Sequence, residues 1–142
     1  MPTETTRIRA LAATTFLLVV GAVSAGVHAG LAPQHLHEWP PLGGAFVAAA
    51  AAAVFAVAAL ALRPLSPWPP RLLSGLLAGV VAAYALTRLV ALPPLDPTRE
   101  PLDVLGVCTS ALEVAGLLVA TRLGWPRKRR RSSLALTTGG TA

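Results

Sequence analysis

Leu42-Gly43-Gly44-Ala45-Phe46-Val47-Ala48-Ala49-Ala50-Ala51-Ala52-Ala53-Val54-Phe55-Ala56-Val57-Ala58-Ala59-Leu60-Ala61-Leu62 runs for 21 residues without one ionisable side chain. At about 1.5 Å per helical residue, a stretch of this length crosses the ~30 Å hydrocarbon core of a bilayer. Lipid supplies no partner for backbone N–H and C=O groups, so a crossing segment must bond internally, as a helix does. Three further apolar blocks of similar length accompany it. The expected spans are about 8–31, 42–62, 72–92 and 102–123. The fold expected is all-α: an integral membrane bundle of four transmembrane helices over 1–126, with a basic tail over 127–142.

Composition agrees. The chain has 142 residues, 54% of them hydrophobic and 13% charged. Mean hydropathy is +0.64. A soluble domain carries about 25% charged residues. No stretch is left over for a second, soluble domain. Arginine greatly outnumbers lysine and alanine, proline and glycine abound, a bias typical of bacterial genomes rich in G and C.

The basic residues set the expected orientation. Arg7 and Arg9, then Arg63 and Arg71, then Arg122 and the run Arg127, Lys128, Arg129, Arg130, Arg131 fall at one end of the bundle. The other end has only Arg99 in a loop, beside Asp96 and Glu100. Cytoplasmic loops carry the excess of lysine and arginine. An N-in/C-in, multi-pass protein of the bacterial cytoplasmic (cell) membrane follows. A basic run can also read as nucleic-acid binding. Its position just after a span points instead to anionic lipid headgroups, with no nucleic acid as partner. Cys108 is the one cysteine, so no intramolecular disulfide framework is expected. Val23-Ser24-Ala25 has the form of a signal cleavage site, but the apolar run continues to Leu31, long enough to span, and retention is expected.

All three histidines lie in Gly26–Pro41, whose last part, Pro33 to Pro41, is expected to be the first outer loop. His35, His37 and Glu38 are candidate ligands for a divalent transition metal, since imidazole and carboxylate suit zinc, copper or nickel. The spacing is permissive only. Two histidines at i and i+2 point the same way on an extended strand and not on a helix. His28 and His35 stand about 10 Å apart along a helix axis.

Three ionisable residues fall inside spans: His28, Arg88 and Glu113. Such groups are costly in lipid and face the bundle interior or water. Each lies on a stripe of small residues at helical spacing. The stripes are Gly21, Ala25, His28; Ser74, Ala78, Ala85, Arg88; and Asp103, Gly106, Ser110, Glu113. A polar intramembrane pocket of His28, Arg88, Glu113 and Asp103 is the expectation. Arg88 has two routes to a partner. It can lock helix register by pairing with Glu113, or snorkel outward to Asp103 and the loop acids. Gly75 and Gly79 form a small-xxx-small pair suited to close helix packing. Ser24, Ser74 and Ser110 have no base partner visible in sequence, and no enzyme is expected.

The run His35-Leu36-His37-Glu38-Trp39-Pro40-Pro41-Leu42-Gly43-Gly44-Ala45-Phe46, then Tyr84-Ala85-Leu86-Thr87-Arg88, Leu92-Pro93 and Glu113, resembles a group of uncharacterised four-span bacterial integral membrane proteins. These share a His-Leu-x-Glu outer tip, a Ser/Thr-Arg pair near the end of the third helix and a Glu in the fourth. The resemblance covers most of the four spans. It implies one site holding Glu38, Arg88 and Glu113, and supplies no activity. Where a Gly-Pro is expected after the third helix, this chain has Pro93-Pro94.

Two functional expectations remain. One is a small accessory or binding protein with a polar, outward-facing pocket that includes His28, His35, Glu38, Arg88 and Glu113. The other is an oligomeric transporter or channel subunit with Glu113 on a path. The partners expected are the lipid bilayer, a second copy of the chain, or a larger membrane complex.

Overall fold

The computed structural model describes residues 3–89 and 102–125. Four helices occupy them: α1 (Glu4–Glu38), α2 (Pro40–Leu62), α3 (Trp68–Leu89) and α4 (Val104–Gly124). Each is long and apolar enough to cross a membrane. The chain is therefore a multi-pass, all-helical membrane protein, as the apolar blocks imply. The expected outer loop from Pro93 to Glu100, with Asp96 and Arg99, and the basic run Arg127 to Arg131 lie outside the described residues.

Neighbouring helices pack in a ring, α1 on α2, α2 on α3, α3 on α4 and α4 on α1. The tightest part of the interior is Leu17, Val20, Ala56, Leu60, Leu73, Leu77 and Ala120, all fully or almost fully buried. Small residues let the backbones close on this layer. A Cβ on Gly116 would stand 2.7 Å from Val20 Cγ1 and 3.1 Å from Leu77 Cδ1. One on Gly21 would stand 2.5 Å from Val57 Cγ2. Many large apolar side chains point outward, among them Ile8, Val19, Val54, Phe55 and Leu118. In water such a surface would drive aggregation; in a bilayer it is the lipid contact.

Three expectations need correction here. Residues 33–38 are not a loop. α1 continues through Pro33 to Glu38, and the α1–α2 connection is the single residue Trp39 in extended conformation. The helix is worth continuing because its last turns have somewhere to pack. Ala32 is buried, and Gly43 lies so close to Leu36 that any Cβ there would overlap the Leu36 backbone. Pro40 opens α2 at a position where its missing N–H has no helical partner to lose. Second, Gly75 and Gly79 face away from the bundle, with nothing within 4 Å of a Cβ on either. Third, Ala78 and Ala85 are also exposed, so the inner face of α3 is the one bearing Leu73, Ser74 and Leu77.

The opposite end is held by α3 and α4. Trp68-Pro69-Pro70 form the first turn of α3, where prolines are tolerated. Arg71 Nε donates to Gly124 O at 2.8 Å, satisfying a carbonyl that the last turn of α4 leaves open. Its guanidinium also lies 5.3 Å from the Trp125 ring centroid.

Candidate functional site

Above the buried leucine layer, toward Trp39, the four helices part around a pocket of about 550 Å³. α1 contributes His28, His35 and Glu38, and α2 contributes Phe46. Tyr84, Thr87 and Arg88 come from α3, and Gly106, Thr109, Ser110 and Glu113 from α4, with Asp103 at its mouth. The residues expected to share a polar pocket are thus brought together. Leu42, Ala45, Ala49, Val80 and Ala83 supply apolar wall between them.

At the floor is Glu113, 1% exposed. Ser24 Oγ donates to its Oε1 at 2.6 Å, bridging α1 and α4. Ser24 is itself buried. Its carbonyl oxygen meets His28 Nδ1 at 2.8 Å, a bond in which Nδ1 is the donor. That bond orients the ring and occupies Nδ1, leaving Nε2 free to face the pocket. Glu113, Ser24 and His28 therefore form one connected unit. The depth follows from the register: Glu113 lies nine residues into α4, about 14 Å along its axis.

At the mouth, Arg88 Nη2 donates to Asp103 Oδ2 at 3.1 Å, and Nη1 donates to Thr87 Oγ1 at 3.2 Å. The Arg88 guanidinium also sits 4.4 Å from the Tyr84 ring centroid. Of the two expected routes, Arg88 takes the outward one, to Asp103, while Glu113 is held by Ser24. Asp103 stands just ahead of α4 as its N-cap, with Oδ1 accepting from Gly106 N at 2.6 Å. The Gly106 amide holds its carboxyl below the usual carboxylate range against the opposing effect of desolvation, and the Arg88 guanidinium adds to the lowering. Gly106 keeps this corner open: a Cβ there would come within 2.6 Å of the Tyr84 ring and 2.7 Å of Asp103 Oδ2, so those side chains would have to shift.

Phe46 stands between two imidazoles, 5.3 Å from the His28 centroid and 4.4 Å from that of His35. Glu38 accepts from Gln34 Nε2 at 3.0 Å, and its Oε2 is 3.9 Å from His35 Nδ1. His37 does not join them. The continuous helix sends residues 35 and 37 to different faces, and His37 is exposed while His35 is half-buried. The expected metal group of His35, His37 and Glu38 therefore does not converge. Among the described residues no three His, Cys, Asp or Glu side chains could hold an ion together. Cys108 is a free, outward-facing thiol.

Sequence reasoning missed Ser24, Phe46, Tyr84 and Thr109 as parts of the site. Ser24 carried a usable signal: with Gly21 and His28 it keeps spacings of three and four on one helix face. Phe46 and Tyr84 stood inside the stretches that carry the resemblance but were given no role in a site, since an aromatic in a span is most often packing.

A second concavity lies between α1 and α2, lined by Ala22, Ala25, Gly26, Ala29, Val47 and Ala51 among others. It is larger but carries no polar side chain and opens on the lipid-facing side. No protein-family model, curated protein or solved structure matches the chain. The functional reading rests on geometry.

Proposed function

We propose that this chain is a membrane-embedded binding protein of accessory type that admits a small ligand to the pocket between its four helices. One observation carries the reading: the pocket is blind. Among the described residues it runs from Glu38 and Asp103 at one end to Glu113 at the other, below which Leu17, Val20 and Leu77 are completely buried and leave no opening. A pocket of several hundred Å³, mostly apolar with a few convergent polar groups, is the usual form of a small-molecule site. The clustering of arginines at the other end supports an outward-facing mouth and cytoplasmic termini in a bacterial cell membrane.

The alternative, a transporter or channel subunit, draws on Glu113 at mid-span, where ionisable groups often mark pathways. It needs a route past Leu17 and Leu77, through rearrangement or a second copy.

Cysteine accessibility tests this in intact cells. In a Cys108→Ala background, Ser110→Cys in the pocket should react with a membrane-impermeant maleimide added outside, and Ala120→Cys in the sealed layer should not. Reaction of Ser110→Cys from the cytoplasmic side alone overturns the orientation. Reaction of both positions from both sides overturns the blind pocket in favour of the transporter.

A further inference from the structure

We infer that the ligand is a small organic cation, an ammonium carried on an apolar body; this rests on the pocket reading above and adds its charge class. Three carboxylates among the described residues line the pocket, Glu38, Asp103 and Glu113, against one guanidinium, that of Arg88. Arg88 is already matched by Asp103 at 3.1 Å. No lysine or arginine of the described residues pairs with Glu113: its hydrogen bond is to the Ser24 hydroxyl, and the His28 imidazole is the one described side chain whose positive charge would act on it. A carboxylate taken from water into a low-dielectric interior needs a cation and hydrogen bonds to offset the loss of hydration. The serine supplies one bond and His28 is turned to the Ser24 carbonyl, so a ligand ammonium is what would bring a full cation to the carboxylate itself.

The walls fit the same class. Arg88 lies over Tyr84 at 4.4 Å, so this surface already holds a cation against an aromatic face. The Tyr84 hydroxyl is buried without a hydrogen-bond partner among the described residues. It can accept from an ammonium N–H as well as donate. Phe46, on the adjoining α2 wall, offers a second ring. An anion would meet Glu113 at the floor with Arg88 already engaged. A bare metal ion would lack a convergent ligand set. An apolar body bearing an ammonium satisfies both the carboxylate and the alanine-rich wall.

A charge series on one scaffold tests this with the full chain purified in detergent. Phenylbutylammonium, phenylbutanol and phenylbutyrate share their apolar part and differ at the end group. The readout is protection of Ser110→Cys, in the Cys108→Ala background, from maleimide. The ammonium should protect with about tenfold tighter affinity than the alcohol, the scale of one charge-assisted hydrogen bond. The carboxylate should not protect. Glu113→Gln should abolish the advantage of ammonium over alcohol, and Glu113→Asp should retain most of it. Equal protection by alcohol and ammonium, or preference for the carboxylate, overturns the cation class and leaves the pocket standing. A reactive cysteine that no probe protects does the same. A Ser110→Cys thiol that never reacts removes the pocket reading itself. The probe comparison is made with Glu113 in place, so a Gln variant that fails to fold does not blunt the test.

Discussion

Ser24 and Glu113 are 89 positions apart in sequence and 2.6 Å apart in the bundle, hydroxyl to carboxylate. The pair joins the first helix to the last at the floor of the pocket, and both members are buried. In a membrane bundle such a bond replaces a search for other polar partners, so its net worth is modest, averaging ~0.6 kcal/mol with a maximum near 1.7.

A double-mutant cycle on this pair has a definite expectation. Ser24→Ala leaves a buried carboxyl oxygen without its donor and should cost about 1–2 kcal/mol. Glu113→Gln keeps an acceptor for Ser24 and should cost less. The coupling energy from Ser24→Ala, Glu113→Gln and the double variant should be about 0.5–1.5 kcal/mol. Reversible unfolding in mixed micelles provides the readout. Additive effects would show that the two side chains do not share a bond.

Glycine contacts separate the inner from the outer faces. Gly116→Ala forces a methyl against Val20 and Leu77 and should destabilise by about 1–3 kcal/mol. Gly75→Ala and Gly79→Ala meet open space. They should be neutral or stabilising by up to ~1 kcal/mol, since alanine is the better helix former. Thermal melts of the three variants in one detergent decide this. A destabilised Gly79→Ala would mean that this face is packed against something.

The four apolar blocks, and so the four helices, were legible because length and hydropathy leave few alternatives once lipid is the solvent. That His28, Arg88 and Glu113 share a pocket was legible from their cost in lipid, and Asp103 from its place on one helix face with Gly106, Ser110 and Glu113. Their pairing was not. Arg88 reaches Asp103 because both stand at the mouth, whereas Glu113 is a further two to three helical turns down; the choice depends on helix stagger, which one-dimensional spacing does not encode. The metal group failed for a local reason. His35, His37 and Glu38 looked like loop residues after Pro33, whereas the burial of Ala32 and the fit of Leu36 against Gly43 favour a continued helix there.

Asp103 should impart an acid sensitivity. Its folded-state pKa is depressed, first by the Gly106 amide and then by Arg88. The stability it contributes is present above its unfolded pKa and is lost as pH falls through the folded value, below the ordinary carboxylate range. Melting temperature should therefore drop on acidification into that range, and less steeply in Asp103→Asn, which keeps an N-cap acceptor for Gly106. Asp103→Ala removes the cap as well and should cost about 0.5–2 kcal/mol at neutral pH. Identical pH profiles for the parent chain and Asp103→Asn would exclude this carboxyl as the source.

Pro33 gives the sharpest test of the long first helix. A proline inside a helix removes one backbone bond and crowds the carbonyl four residues back, here that of Ala29. Helical neighbours on both sides mean that alanine at position 33 can make the missing bond without altering the path of the chain. Pro33→Ala should raise the melting temperature, by an amount smaller than the ~3 kcal/mol cost of proline in a soluble helix, because membrane helices partly re-satisfy the freed group. Were Pro33 instead the start of a loop, its fixed φ would favour the folded state by restricting the unfolded chain, and its loss would lower the melting temperature. The sign of the shift, read in the same detergent, therefore reports whether α1 runs on to Glu38 and carries His35 to the rim of the pocket.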